Sequence, residues 1–120
     1  MKKDDCIFCK LDNYVLENDL AYAIFDINPI SKGHTLIILK DHKENIFETT
    51  AEDRVALLDL VDKAKALVDE KYSPSGYNVC MNCGESAGQT VMHVHIHLVP
   101  RYLDETSDTT SKVKKNIPSA

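Results

Sequence analysis

The sequence predicts an α+β fold, a five-stranded and mainly antiparallel sheet packed with a single long helix. Short apolar runs suited to strands recur along the chain, and only one stretch carries the 3–4-residue apolar repeat of a long helix. With one helix among the strands, repeated βαβ crossovers are not available, so most neighbouring strands must run antiparallel. The length of 120 residues suits one domain, large enough to bury a core without disulfide staples.

The elements follow in order. Residues 14–16 and 21–26 read as two strands joined by the polar turn Glu17-Asn18-Asp19. After Asn28-Pro29 and Lys32-Gly33, residues 34–39 form a third run, apolar enough to be central. Thr49-x-x-Glu52 has the pattern of a capping box, in which each side chain satisfies a free N–H at a helix start. The following helix places Leu57, Leu60, Val61, Ala64, Leu67 and Val68 on one stripe, and Ser73-Pro74-Ser75-Gly76 ends it. Residues 77–82 and 93–99 are the fourth and fifth strands. Residues 1–103 read as one domain, and residues 104–120 as a polar, loosely held tail rich in Ser, Thr and Lys.

Composition narrows the function. A formal net charge of −5 argues against a general binder of nucleic-acid polymers, which would present a basic face. A single nucleotide is compatible, since one pocket can hold phosphate through backbone N–H groups and histidines. The N-terminus has no apolar core behind Lys2 and Lys3, and no stretch approaches the ~20 apolar residues of a membrane span. A cytoplasmic location follows, with the four cysteines reduced. Cys-x-x-Cys there reads first as metal ligands or redox chemistry.

His93-Val94-His95-Ile96-His97 is the most informative segment. On a strand, alternate side chains share a face, so the three histidines form a row and Val94, Ile96 and Leu98 face the core. Neighbouring imidazoles could share a metal ion, whereas the outer pair would lie ~13 Å apart on a straight strand. Imidazole also suits nucleophilic and acid–base catalysis, because it titrates near neutrality. One histidine attacks and another protonates the departing group. The preceding segment, Gly84-Glu85-Ser86-Ala87-Gly88-Gln89-Thr90, is a loop of small and hydroxyl-bearing residues whose backbone can approach an anion closely.

Residues 88–100 resemble the signature of the histidine triad nucleotide-binding proteins. The likeness extends to Cys6-Ile7-Phe8-Cys9, Phe25-Asp26-Ile27-Asn28-Pro29, Gly33-His34-Thr35-Leu36-Ile37-Ile38 and Asn82-x-Gly84. It implies a five-stranded antiparallel sheet with helices, usually in a homodimer. His95 is implied as the nucleophile of a nucleotidyl-histidine intermediate, with His97 and His34 at the phosphate or leaving group. Asn82, Gly88, Gln89 and Thr90 would surround the phosphate, and Asp26 would hold the ribose. Ile7, Phe8, Leu11, Ile24 and Leu36 would line the base pocket of a purine nucleotide. Two departures stand out: Leu39 replaces a proline common in the family, and the chain after Arg101 is unlike its usual pattern.

Cys6-x-x-Cys9 is half of a tetrahedral zinc site. Cys80-x-x-Cys83 could supply the other half, although residues three apart on a strand face opposite ways. The zinc-carrying branch of the resembling family instead adds two histidines, here His42 and His93, giving one structural zinc per chain. Three functions therefore compete. They are a hydrolase of nucleoside phosphoramidates or dinucleoside polyphosphates, a nucleotide-binding module with little turnover, and a metal-dependent hydrolase using His93 and His95.

Overall fold

The structure, a computed structural model, describes Lys3 and residues 5–103; the expected polar tail lies outside the described residues. The chain forms a one-turn helix α1 (Ile7–Lys10), then strands β1 (Leu16–Glu17), β2 (Ala21–Phe25) and β3 (Thr35–Leu39). Helix α2 (Ala51–Tyr72) follows, and strands β4 (Gly76–Cys80) and β5 (His95–Arg101) complete the sheet. The strand order is β1-β2-β3-β5-β4, and every pairing is antiparallel. The expected α+β architecture is the observed one.

Strand β3 is buried along its whole length because both faces of the sheet are covered. On one face, Ile37, Leu39, Ala21, Ala23, Ile96 and Leu98 pack against Leu57, Leu60 and Ala64 of α2. Fully burying each large aliphatic side chain contributes about 1.5–3 kcal/mol, so this contact fixes the helix on the sheet. On the other face, Tyr22, Leu36 and Ile38 pack with Phe8 of α1, with Leu11 and Ile24 at the margin. The second face carries the site.

Several boundaries differ from expectation, each for a local reason. The capping box uses Thr50 and Asp53, one residue later than Thr49 and Glu52. The Asp53 N–H donates to Thr50 Oγ1 at 3.1 Å, and the Thr50 N–H donates to Asp53 Oδ2 at 3.0 Å. Asp53 is fixed there by Lys43 Nζ at 2.6 Å, a partner that the local pattern does not reveal. Strand β1 is shorter and later than residues 14–16, because Tyr14 turns inward to stack on Tyr22, with ring centroids 4.1 Å apart. Strand β4 ends at Cys80 instead of residue 82, and its last pair with β5 is Cys80 with His97. Strand β5 spans Arg101 and starts at His95, leaving His93 in the bend before it.

Candidate active site and metal centre

His95 and His97 lie on the face away from α2, opposite Ile38 and Leu36 of β3 respectively. Both are almost wholly buried, and their ring centroids are 5.1 Å apart. The His95 Nδ1–H donates to the main-chain carbonyl of His93 at 2.6 Å. That bond places the proton on Nδ1 and the lone pair on Nε2. Nε2 is buried with no hydrogen-bond partner, an arrangement that costs stability unless the atom has a ligand to meet. The Phe8 ring stands edge-on to His95 at 5.0 Å and limits its rotation.

His97 is held from the other side. The Ile30 N–H donates to His34 Nδ1 at 3.1 Å, so neutral His34 carries its proton on Nε2. That Nε2–H donates to His97 Nδ1 at 3.0 Å, which leaves the proton of neutral His97 on Nε2. Burial, with a contribution from Arg101, holds the His34 pKa below the ordinary imidazole value against the opposing pull of Asp26. Asp26 Oδ2 lies 3.5 Å from His34 Nε2, while its Oδ1 accepts the Asn28 N–H at 2.9 Å. Asp26 therefore shapes the turn and borders the histidines at once.

The loop between β4 and β5 bends sharply at Gly88, whose φ of +97° disfavours any residue with a Cβ. Asn82 is buried, and its side chain donates to the Gly88 carbonyl at 3.3 Å. Gln89, expected around the phosphate, is buried in the same loop. Its Nε2 donates to Glu44 O at 2.6 Å and to Val91 O at 3.0 Å, and its Oε1 accepts from Gly84 N. Both carboxamide hydrogens are spent on shaping the loop. Ser86 and Thr90 are exposed.

Of the five residues expected around a base, four come together. Phe8 and Leu36 belong to one apolar cluster, and Leu11 and Ile24 pack against it. Ile7 does not join them. It is 59% exposed, because a single helical turn that points Phe8 inward points its predecessor outward. Ile7 lines a separate cleft of about 360 Å³ with Lys3, His42 and Thr90. A larger cleft of about 500 Å³, beside Asn18, Val55 and Asp59, holds no histidine.

Cys6, Cys9, His42 and His93 place one ligand atom each within 4.8 Å of one another. His93 Nδ1 lies 3.3 Å from Cys6 Sγ and 3.5 Å from Cys9 Sγ, and His42 Nδ1 lies 3.4 Å from Cys9 Sγ. The donor set fits a metal ion. The His93 Nε2–H donates to Leu39 O at 2.6 Å, so Nδ1 presents a lone pair to the sulfurs. Burial pushes the His93 pKa down to about 4, which keeps the ring neutral, as a metal ligand must be. Two thiols and two imidazoles with no open position suit a closed tetrahedral zinc site.

The rival metal arrangements are not assembled. Among the described residues, Cys80 and Cys83 belong to no metal-capable group, and Cys80 pairs across the sheet with His97. His93 and His95 do not face a common point, since His93 Nδ1 looks toward the cysteines and His95 Nδ1 is bonded to the His93 carbonyl. Asp26, His34 and His97 could in principle hold an ion. There the His34 Nε2–H is already donated to His97, so the two imidazoles do not offer two lone pairs. Three main-chain groups at the heart of the site, Ile30 N–H, Leu39 O and His93 O, have no side-chain signal in sequence. Arg101 did have one, because alternation from His97 places it on the site face.

An antiparallel α+β sheet with paired histidines on β5, beside its central strand, defines a histidine-based site of the kind seen in one family of small proteins. The family model of the HIT domain matches residues 10–104, and the chain belongs to that family. Protein hit of Bacillus subtilis is 39% identical over 105 residues, covering 82% of this chain and 72% of its own. Adenosine 5'-monophosphoramidase hnt1 of Schizosaccharomyces pombe is 39% identical over 106 residues, covering 83% and 77%. Among solved structures, a HIT family protein from Bacillus anthracis superposes with a TM-score of 0.78 at 37% identity, over 95% of this chain and 90% of its own. A zinc-bound histidine triad family protein from Mycobacterium smegmatis gives 0.78 at 29% identity, over 87% and 80%.

Proposed function

We propose that the chain is a nucleotide-binding hydrolase that cleaves a purine nucleoside phosphoramidate or dinucleoside polyphosphate through a nucleotidyl-histidine intermediate. The carrying observation is His95 Nε2, buried, partnerless and fixed in the unprotonated tautomer. Its lone pair attacks the α-phosphorus, a P–N bond forms, and the bond from phosphorus to the leaving group breaks. The leaving group takes the Nε2 proton of His97 in its imidazolium form, which the approaching phosphate anion favours, so that neutral imidazole and not imidazolate remains. Attachment at Nε2 makes the His95 ring cationic, which strengthens the Nδ1–H bond to the His93 carbonyl. Water then attacks phosphorus, His97 Nε2 accepts its proton, and His95 leaves with the nucleoside monophosphate released. His34 holds His97 in the donating tautomer, since Ile30 N–H keeps its own proton on Nε2.

Phe8, Leu11, Ile24 and Leu36 are the apolar bed for the base, Asp26 receives the ribose hydroxyls, and Asn82, Gly88 and Thr90 border the phosphate. Cys6, Cys9, His42 and His93 would hold one structural zinc, which supplies cross-linking of α1 to the start of β5 and does not itself touch the phosphate. The homodimer and cytoplasmic location belong to the same reading. Its dimer is supported by the edge strand β4, which leaves Val79 and the following Met81 exposed. The test is a panel of adenosine and guanosine phosphoramidates and diadenosine polyphosphates, with acid-quenched protein searched for nucleotidylated His95. His95→Gly should abolish turnover and keep nucleotide affinity within about tenfold, or ~1.4 kcal/mol. A variant that keeps more than a tenth of wild-type turnover would exclude the covalent route.

A further inference from the structure

We infer that His93 is a positioning residue linking the metal centre to the nucleophile. Through its carbonyl and imidazole, and together with Phe8, it lets metal binding decide how fully His95 occupies its attacking tautomer. The inference builds on the nucleophilic role of His95 proposed above.

One residue serves both sites with three different atoms. His93 Nδ1 faces the Cys6 and Cys9 sulfurs at 3.3 and 3.5 Å. Its Nε2–H donates to Leu39 O at 2.6 Å, and its carbonyl accepts the His95 Nδ1–H at 2.6 Å. With both ring nitrogens fixed, the side-chain torsions are fixed, and so is the carbonyl that shares the same Cα. The peptide on each side is also tied, His93 N to Val91 O and Val94 N to Lys43 O, each at 2.8 Å. A ring pulled toward the cysteines therefore carries its carbonyl with it.

Phe8 gives a second route. It lies between the two cysteines on α1 and stands edge-on to His95 at 5.0 Å and to His93 at 5.9 Å. Its carbonyl accepts the Tyr22 hydroxyl. Without an ion, only weak thiol hydrogen bonds join Cys6 and Cys9 to the imidazoles. Residue 93 is then held less tightly, and Phe8 has less to pin it. If the His93 carbonyl moves away, neutral His95 redistributes its proton to Nε2, and that tautomer cannot attack.

The experiment uses the whole chain with ¹⁵N-labelled histidine in zinc-loaded, chelator-stripped and zinc-restored forms. Long-range imidazole NMR reports which nitrogen of His95 carries the proton, without any substrate. The loaded protein should show a single Nδ1–H tautomer. In the stripped protein the two His95 nitrogen signals should move toward each other and return on adding zinc. In single turnover, nucleotidyl-enzyme formation should fall on the order of 10–100-fold on stripping, the usual cost of losing an outer supporting partner. Circular dichroism tells whether the stripped form is folded. If it is not, the cadmium-loaded protein replaces it, and the His95 signals should then differ between the zinc and cadmium forms. Identical His95 signals across the folded forms would overturn the link. A loaded protein with the expected tautomer but no nucleotidyl-histidine after acid quench would remove the proposed function and leave the link standing.

Discussion

Gly33→Ala should be among the most damaging single-methyl additions in this chain, and the cost can be worked from its surroundings. Gly33 has φ +86°, a region that costs a residue with a Cβ about 1–2 kcal/mol. A Cβ built there meets Tyr72 Cδ2 and Val68 Cγ1 at 3.0 Å and Pro100 Cγ at 3.3 Å. Tyr72 is 37% exposed and can swing aside, but Val68 is wholly buried in α2 and Pro100 sits in β5. Overpacking of that kind typically costs about 1–3 kcal/mol. The sum is about 2–5 kcal/mol, or a melting temperature lower by roughly 8–25 °C for a domain of this size. The next residue is His34, so a backbone that shifts to relieve the clash also lengthens the 3.0 Å bond to His97. Urea denaturation of Gly33→Ala beside Gly76→Ala makes the comparison. Gly76 has no atom within 4 Å of its built Cβ and no positive φ, so that control should stay within about 0.5 kcal/mol of wild type. Equal stability of the two variants would refute the packing argument.

Removing His97 separates proton donation from binding: His97→Ala should slow a phosphoramidate with an alkylamine leaving group far more than a substrate releasing an activated phenolate. Equal losses on both would make His97 a phosphate contact only. The same variant orphans the buried His34 Nε2–H and should lose about 1–3 kcal/mol in urea titration. Asp26→Ala should weaken a nucleotide with free ribose hydroxyls by about 1.5–3 kcal/mol and leave a 2′,3′-dideoxy analogue unaffected by calorimetry. Unchanged affinity for both would leave Asp26 as the turn residue its bond to Asn28 already makes it. Asp53→Ala should cost about 1–2 kcal/mol at neutral pH through the lost capping box and Lys43 pair. Burial raises the Asp53 pKa, but Lys43 and the Thr50 N–H outweigh it and hold the carboxyl below its ordinary value. A lowered folded pKa gives stability that is full above the unfolded value and lost as pH falls through the folded one. The gap between wild type and variant should therefore narrow in acid, and a pH-independent gap would contradict the assignment.

The fold was legible in sequence wherever one periodicity ruled. Leu57, Leu60, Ala64 and Val68 are the buried stripe of α2, and the apolar run at residues 35–39 is the doubly covered central strand. What local pattern could not supply was long-range choice. Thr49-x-x-Glu52 and Thr50-x-x-Asp53 are equally good caps by spacing, and Lys43 decides between them from ten residues away. The setting of Gln89, in a loop of hydroxyl and glycine residues, does not reveal its hydrogen-bond partners. Its burial against Glu44 and Val91 depends on where two distant chain segments meet. Leu39 in place of the family's proline is explained in part, since its N–H reaches Val94 O at 3.5 Å, a bond proline could not make.

Strict alternation from residue 93 puts three imidazoles in a row whose ends are ~13 Å apart, too far to share an ion. In the structure the division is sharper than distance alone requires. Strand pairing begins at His95, so His93 lies in a bend and its ring turns to the cysteines, while only His95 and His97 obey the alternation. Placed on the regular strand, His93 could not send its imidazole to the metal ligands and its carbonyl to His95 Nδ1 from one position. The departure from regularity at residue 93 is what gives His95 its fixed Nδ1–H, and with it an unprotonated, buried Nε2 with no hydrogen-bond partner. The even spacing in the sequence thus joins the metal-capable group and the proposed nucleophile through a single peptide carbonyl.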